Sequence, residues 1–254
     1  MIRNRCDNVY ENSIDYDKVS RVYDNVRVGD PEMVQQILQE IDLDQESIVL
    51  DVGCGTANNT ILFAEVTSAK VAGLDISFGM LEKAHQKTEK TPLVQSPADS
   101  LPFAKESYNF VFMTEVLHHL PDIDSAIEEI FRVLEPGGLL CIVTQSHNQI
   151  DGRMTSRFFP ASAEVDKLRY PDIDVIEEVL LKVGFSKVIL REYQFRPTLL
   201  GDEYLNTIEN RGYSMLHKIN NEDYEQGLQK LKAAYASSEK LTYSAGYTFV
   251  WGVK

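Results

Sequence analysis

Gly53, Gly55 and Asp75 are the residues whose types and spacing point most directly to chemistry. The stretch VLDVGCGTANNT, residues 49–60, runs from an apolar, strand-like segment into two glycines that flank Cys54. Glycine at such a place can take positive φ, and it lacks the Cβ that would keep a ligand away from the backbone. Asp75 stands twenty residues beyond Gly55, at the end of the next apolar segment. A carboxylate there can accept both hydroxyls of a ribose diol. Either half alone reads equally as a tight strand–helix turn or a surface Asp. The pair at this spacing reads as a site for an adenosine cofactor.

The loop also discriminates among such cofactors. A dinucleotide fingerprint, G-x-G-x-x-G, wants a third glycine, and Asn58 occupies that position. The P-loop pattern G-x-x-x-x-G-K-[ST] is absent. A ligand without phosphate does not need a helix N-terminus aimed at an anion. S-adenosylmethionine has no phosphate and carries a sulfonium cation. The acidic Asp51 beside the loop suits it better than it suits a pyrophosphate.

The elements that must hold these residues follow from hydrophobic pattern. Pro31 opens a helix with Met33, Val34, Ile37, Leu38 and Ile41 on one face. Strands are expected at 47–52, 70–74, 91–95, 109–114, 139–144, 186–195 and 243–253. Helices are expected at 60–66, from Ser77 as a cap, over DIDSAIEEIFRVL and at 172–183. The EPGG stretch, 135–138, should end the third of these helices and turn the chain. Strands alternating with helices, several of them continuously apolar, give a mostly parallel sheet covered on both faces. Residues 145–171 read as a loop and 199–238 as a helical insertion. In a doubly wound sheet the segments after strand C-termini build the site, so both are expected to cover it.

Bulk composition sets the limits. The 254 residues fit a single domain with insertions, here 1–254, and 43% are hydrophobic, enough for a full core. Twenty-five Lys and Arg against 39 Asp and Glu give a net charge of −14. That balance argues against nucleic acid or an anionic membrane as partner. Cys6, Cys54 and Cys141 are widely spaced and form no ligand cluster, so no metal site is expected. They read as reduced thiols. The N-terminus shows no apolar signal stretch and no apolar run has membrane-spanning length, so a cytoplasmic protein is expected.

VLDVGCGTANNT, AGLDIS.GML, A.SLPF and VLHHLPD…AIEEIFRVLEPGGLL, in this order over residues 47–144, resemble the consecutive motifs of class I S-adenosylmethionine-dependent methyltransferases. The nearest type is the small-molecule branch that includes ubiquinone and menaquinone methyltransferases. The resemblance implies a Rossmann-like, doubly wound α/β fold. Its seven-stranded sheet would be mostly parallel, with an antiparallel last strand and helical cover insertions. It also implies roles by position. Asp51, Gly53 and Gly55 would line the methionine part, Asp75 would hold the ribose, and Ile76 and Met80 would pack on the adenine. Ala98 would present backbone to the adenine edge, and Thr114 would sit near the transfer point. DYDKVSRVYD resembles the lid helix of this branch, which makes 1–30 a lid segment and places Tyr16 and Tyr23 near the cofactor's carboxylate or the substrate. Three positions depart from the family. Ala57 replaces a frequent glycine, which implies a loop of somewhat different shape. Pro97 replaces an Asp that accepts from the adenine amino group, a task left to Asp99 or a carbonyl. Asn109-Phe110 stands where the family commonly has Phe-Asp entering the fourth strand.

The reaction expected is methyl transfer to an O, N or C nucleophile of a small-molecule substrate. Other chemistry on the same sulfonium, such as cyclisation or alkyl transfer, stays open, as does a non-catalytic cofactor-binding partner. In-line transfer depends mainly on orientation, and a base is needed only where the nucleophile arrives protonated. His118 and His119, after the fourth strand, are candidate bases or else packed loop histidines. Arg153 and Arg157 are candidates to hold a substrate carboxylate or phosphate, or else solvated loop residues. Phe158 and Phe159 wall a substrate or anchor the loop. In the insertion, Arg211, Tyr213, His217 and Tyr224 are pocket candidates on an otherwise core-forming helical pattern.

Overall fold

A computed structural model describes residues 29–237 and 240–254. The order of elements begins α1 (Pro31–Leu38), β1 (Ile48–Val52), α2 (Asn58–Val66), β2 (Lys70–Asp75), α3 (Phe78–Lys87), β3 (Leu93–Gln95) and β4 (Tyr108–Thr114). It continues with α4 (Ile123–Val133), β5 (Leu134–Thr144), α5 (His147–Asp151), α6 (Met154–Phe158), α7 (Pro160–Lys167), α8 (Ile173–Val183) and β6 (Lys187–Gln194). The last elements are β7 (Thr198–Leu199), α9 (Asp202–Glu209), α10 (Asn221–Ala236), β8 (Thr242–Tyr243) and β9 (Gly246–Val253).

Seven strands form one sheet in the order β3-β2-β1-β4-β5-β9-β6. The pairs from β3 to β5 are parallel, and β9 runs antiparallel to both β5 and β6. The chain reverses its direction of travel across the sheet between β1 and β4. Such a switch point opens a crevice at the C-terminal ends of the strands, which is where the glycine loop and residues 114–119 lie.

Alternation along the strands divides the core. Leu50, Val52, Val111, Met113 and Ile142 pack with α4 and α8 through Ile127, Ile130, Ile176 and Leu180. Val49, Phe110, Phe112, Cys141 and Trp251 face α1 and α2 through Met33, Ile37 and Phe63. Phe63 stacks on Phe112 at 4.9 Å between ring centroids. Truncating so enclosed a ring costs about 3–5 kcal/mol. Helix starts carry the caps their sequences announce: Asp30 accepts from Met33 N, Ser77 from Met80 N and Asp122 from Ser125 N.

Three expectations need correction. Residues 145–171 are not a loop but the three short helices α5, α6 and α7. Ser146 and Gln149 form a capping box at α5, and Pro160 occupies the first turn of α7. Helices of five to eight residues do not stand alone in water, so packing holds them, with Phe158 and Phe159 joining Met215, Leu216, Tyr224 and Leu231 in a separate apolar cluster. The EPGG stretch does not end a helix before a new strand. It lies inside β5, where Tyr108 pairs with Leu134 but Phe110 pairs with Leu139, so the intervening residues bulge out. The last strand begins at Gly246, because Thr242–Tyr243 pairs instead with Thr198–Leu199.

Candidate active site

The glycine loop is held from below by β2. Gly53 N and Cys54 N both donate to Leu74 O, at 2.7 and 2.9 Å. Asp75 then fixes both flanks of the crevice: its Oδ2 accepts from Gly55 N at 2.8 Å and its Oδ1 from Ser77 N at 2.9 Å. Gly53 and Gly55 take φ of +77° and +56°. A Cβ at Gly53 would fall 2.4 Å from Val116 Cγ2, whereas one at Gly55 would meet nothing within 4 Å among the described residues. Gly53 is thus a packing necessity, and Gly55 faces the crevice. Ala57 takes φ +60°, the left-handed region that favours glycine. An alanine there costs about 1–2 kcal/mol.

The third-glycine position is accounted for as well. Asn58 Oδ1 accepts from Lys87 Nζ at 2.6 Å, which also reaches Thr56 O. Neighbouring Asn59 joins three elements. Its Oδ1 accepts from Asp30 N at 2.8 Å and its Nδ2 donates to Thr114 Oγ1 at 3.3 Å. Sequence reasoning missed Asn59, although its offset from the glycines is a usable signal.

Asp51, next to last in β1, has 1% of its surface exposed. Thr60 Oγ1 donates to its Oδ2 at 2.6 Å, while its Oδ1 has no hydrogen-bond partner among the described residues. Burial, opposed by the Thr60 bond and reinforced by the charge of Asp75, raises its pKa to about 7. Burial and the same two carboxylates push the Cys54 thiol well above its ordinary value, so it stays protonated. An orphaned buried carboxylate oxygen beside an open glycine cradle fits a cationic ligand and repels a phosphate. Past Asp75, Ile76 is 60% exposed and Met80 is buried, giving an apolar ledge next to the carboxylate. Ala98 is buried and Asp99 exposed. These residues fit S-adenosylmethionine. Tyr16 and Tyr23 lie outside the described residues.

A second hollow lies under the helical cover, a cavity of ≈ 180 Å³ bordered by Glu115, Gln145, Arg153, Tyr204, Tyr213 and Tyr243 among others. Glu115 follows Thr114 directly and has φ +59°, an uncommon backbone state for a residue with a Cβ that recurs at functional sites. It accepts from the Tyr170 hydroxyl at 3.1 Å. No local sequence signal marks Glu115.

Arg153 borders the cavity but is buried and engaged. It donates to Asp166 Oδ2 at 2.5 Å and to Gln145 Oε1 at 2.6 Å, and it sits 5.0 Å from the Tyr170 ring centre. Burial alone would lower its pKa, but Tyr170, Glu115 and Asp166 raise it overall. Arg157 is exposed, with its guanidinium 5.1 Å from the Phe158 ring centre. Phe158 is buried in the cover's apolar cluster rather than set in the cavity wall. His118 is buried and stacks on Tyr170 at 3.8 Å. His119 is exposed, its Nδ1 3.4 Å from Arg169 Nη2. Tyr224 and Arg211 are partners within the cover: the guanidinium lies 3.7 Å above the ring, and the Tyr224 hydroxyl donates to Ile208 O. The structure therefore gathers Arg153 and Tyr213 at the cavity, and leaves Arg157 and Phe158 outside its wall. Among the described residues no cluster of His, Cys, Asp or Glu could hold a metal ion, and no helix is long and apolar enough to cross a membrane.

Known proteins resemble this chain in sequence and fold. The methyltransferase domain family matches residues 50–142. The chain is 31% identical over 186 residues to demethylmenaquinone methyltransferase of Staphylococcus epidermidis, across 63% of this chain and 76% of that protein. It is 32% identical over 212 residues to demethylmenaquinone methyltransferase of Staphylococcus carnosus, across 73% and 86%. Among solved structures, a putative methyltransferase from an antibiotic biosynthesis pathway of Anabaena variabilis superposes with a TM-score of 0.75. That match has 21% identity and covers 90% of this chain and 99% of that one, a likeness of fold.

Proposed function

This chain belongs to the class I S-adenosylmethionine-dependent methyltransferases, and from that premise we propose that it methylates an O, N or C nucleophile of a small molecule seated under its helical cover. S-adenosylmethionine supplies a methyl already activated on a positively charged sulfur. The chain's part is to bind, orient and exclude water. In this reading Asp51 takes the cationic methionine end, and Gly53 and Gly55 let the backbone approach it. Asp75 accepts the ribose hydroxyls on lone pairs left beside its two backbone bonds. Ile76 and Met80 flank the adenine, with Ala98 and Asp99 at its edge.

The observation that carries the proposal is the adjacency of Thr114 and Glu115. Asn59 ties the first to the glycine-loop helix, and the second forms part of the cavity wall. One peptide unit thus separates the cofactor side from the acceptor side. Orientation across that boundary supplies most of the rate in an in-line displacement. Where the nucleophile carries a proton, Glu115 is placed to take it. His118, stacked behind Tyr170, serves better as a support for the Tyr170–Glu115 hydrogen bond. The relatives' name, demethylmenaquinone methyltransferase, supports a small-molecule acceptor.

The test is incubation of the full chain with S-adenosylmethionine and a panel of small phenols, enols and amines, read by mass spectrometry. The expected products are S-adenosylhomocysteine and an acceptor with one hydrogen replaced by methyl. Release of methylthioadenosine instead would refute methyl transfer in favour of attack at another carbon of the sulfonium.

A further inference from the structure

We propose that the Tyr204 hydroxyl recognises the acceptor substrate, and that the cavity takes an aromatic molecule that is not an anion and carries an oxygen acceptor, such as a carbonyl. The proposal rests on the methyltransferase reading and specifies its substrate class.

The walls come first. Tyr170, Tyr204, Tyr213, Tyr243 and Tyr247 all border the cavity, and a wall this rich in aromatic residues suits a planar, apolar body. The charges come next. Arg153 is spent on Asp166 and Gln145, Asp166 also receives Arg169, and Glu115 receives the Tyr170 hydroxyl. Arg153, the one basic residue among the described residues of the cavity wall, is thus matched with near neighbours, and a carboxylate finds no cation held open for it there.

The hydroxyl of Tyr204 is different. It is shielded from solvent and has no hydrogen-bond partner among the described residues. Other hydroxyls of the same cover are placed: Tyr224 donates to Ile208 O, Tyr235 to Leu200 O and Gly201 O, and Tyr170 to Glu115. Burial, with Tyr213, Tyr235 and Tyr243 close by, pushes the Tyr204 hydroxyl above its ordinary pKa, so it remains a donor. A buried donor without an acceptor is costly, and a ligand oxygen that satisfies it gains affinity. Tyr204 is carried by α9, outside the segment matched by the methyltransferase domain family.

Acetophenone and ethylbenzene test this, since they share a ring and differ by the carbonyl. Each is titrated into the full chain saturated with S-adenosylhomocysteine, for wild type, Tyr204→Phe and Tyr235→Phe. The ratio of acetophenone to ethylbenzene affinity should fall about tenfold in Tyr204→Phe and stay at the wild-type value in Tyr235→Phe. The ligand-free Tyr204→Phe protein should melt no lower than wild type, since it loses only an unsatisfied group. An unchanged ratio in Tyr204→Phe, a lowered melting temperature, or no acetophenone binding to wild type would each overturn the proposal. In those cases the methyltransferase reading stands if S-adenosylhomocysteine still binds. Failure of wild type to bind S-adenosylhomocysteine would remove that reading and this one with it.

Discussion

Replacing Asp51 with Asn separates the two things its carboxylate does. The group is fully enclosed, and its pKa rises from 3.8 to about 7, chiefly through burial. It therefore holds its proton more tightly folded than unfolded. Its contribution to stability is complete below about pH 4 and is lost as pH rises through about 7. At about 1.4 kcal/mol per pH unit the full loss is about 4 kcal/mol. The amide of the variant cannot ionise, so Asp51→Asn should gain stability over wild type by about 3 kcal/mol between pH 5 and pH 8 in urea unfolding of ligand-free protein. Ligand binding should move the other way. The ammonium of the ligand's amino-acid end stabilises the ionised carboxylate, so wild-type affinity for S-adenosylhomocysteine should fall about tenfold per pH unit below about 7, with proton release on binding. In Asp51→Asn the affinity should be flat with pH over that range and at least tenfold weaker at pH 8. Equal stability profiles, or undiminished binding at pH 8, would refute the assignment of Asp51 as a destabilised group held ready for a cation.

Two further substitutions probe the surroundings. Ala57→Gly should relieve the positive-φ alanine and stabilise the chain by about 1 kcal/mol, raising the melting temperature by about 2–4 °C with cofactor affinity unchanged; a loss of stability would contradict the strain. Arg153→Met should leave Asp166 Oδ2 and Gln145 Oε1 without their donor while Arg169 still holds Asp166 Oδ1, and should cost about 1–3 kcal/mol by urea unfolding, with hydrogen exchange speeding up first in α6 and α7. A neutral result would show the Arg153–Asp166 pair to be dispensable.

The parts legible in the sequence are those written in local pattern. The run from Val49 to Val52 followed by glycines, and Asp75 twenty residues past Gly55, mark a strand, a turn and a second strand end without help from the rest of the chain. The amphipathic spacing of Ile123, Ile127, Ile130 and Val133 likewise marks its helix and its buried face. Residues 145–171 were opaque because α5 and α6 have five residues each. Their stability comes from Arg153 reaching Asp166 and from Phe158 and Phe159 meeting the 215–231 segment, and no periodicity records such contacts. The bulge in β5 is illegible for the opposite reason, since a Pro and two glycines normally end an element and here only loop it outward. The cavity is the least legible part. Glu115, Gln145, Tyr204 and Tyr243 come from four separate segments and meet only after folding. The positive φ of Ala57 is equally unwritten in its residue type, which disfavours that conformation.

The central claim is that the crevice built by Asp51, the glycine loop and Asp75 is the S-adenosylmethionine site. Calorimetric titration of wild type and Asp75→Ala with S-adenosylhomocysteine, with circular dichroism to verify the fold, tests it most directly. One-site binding by wild type should weaken by about a hundredfold or more in Asp75→Ala, as two charge-assisted hydrogen bonds are lost. No binding by wild type, or equal affinity in a folded Asp75→Ala, would contradict it.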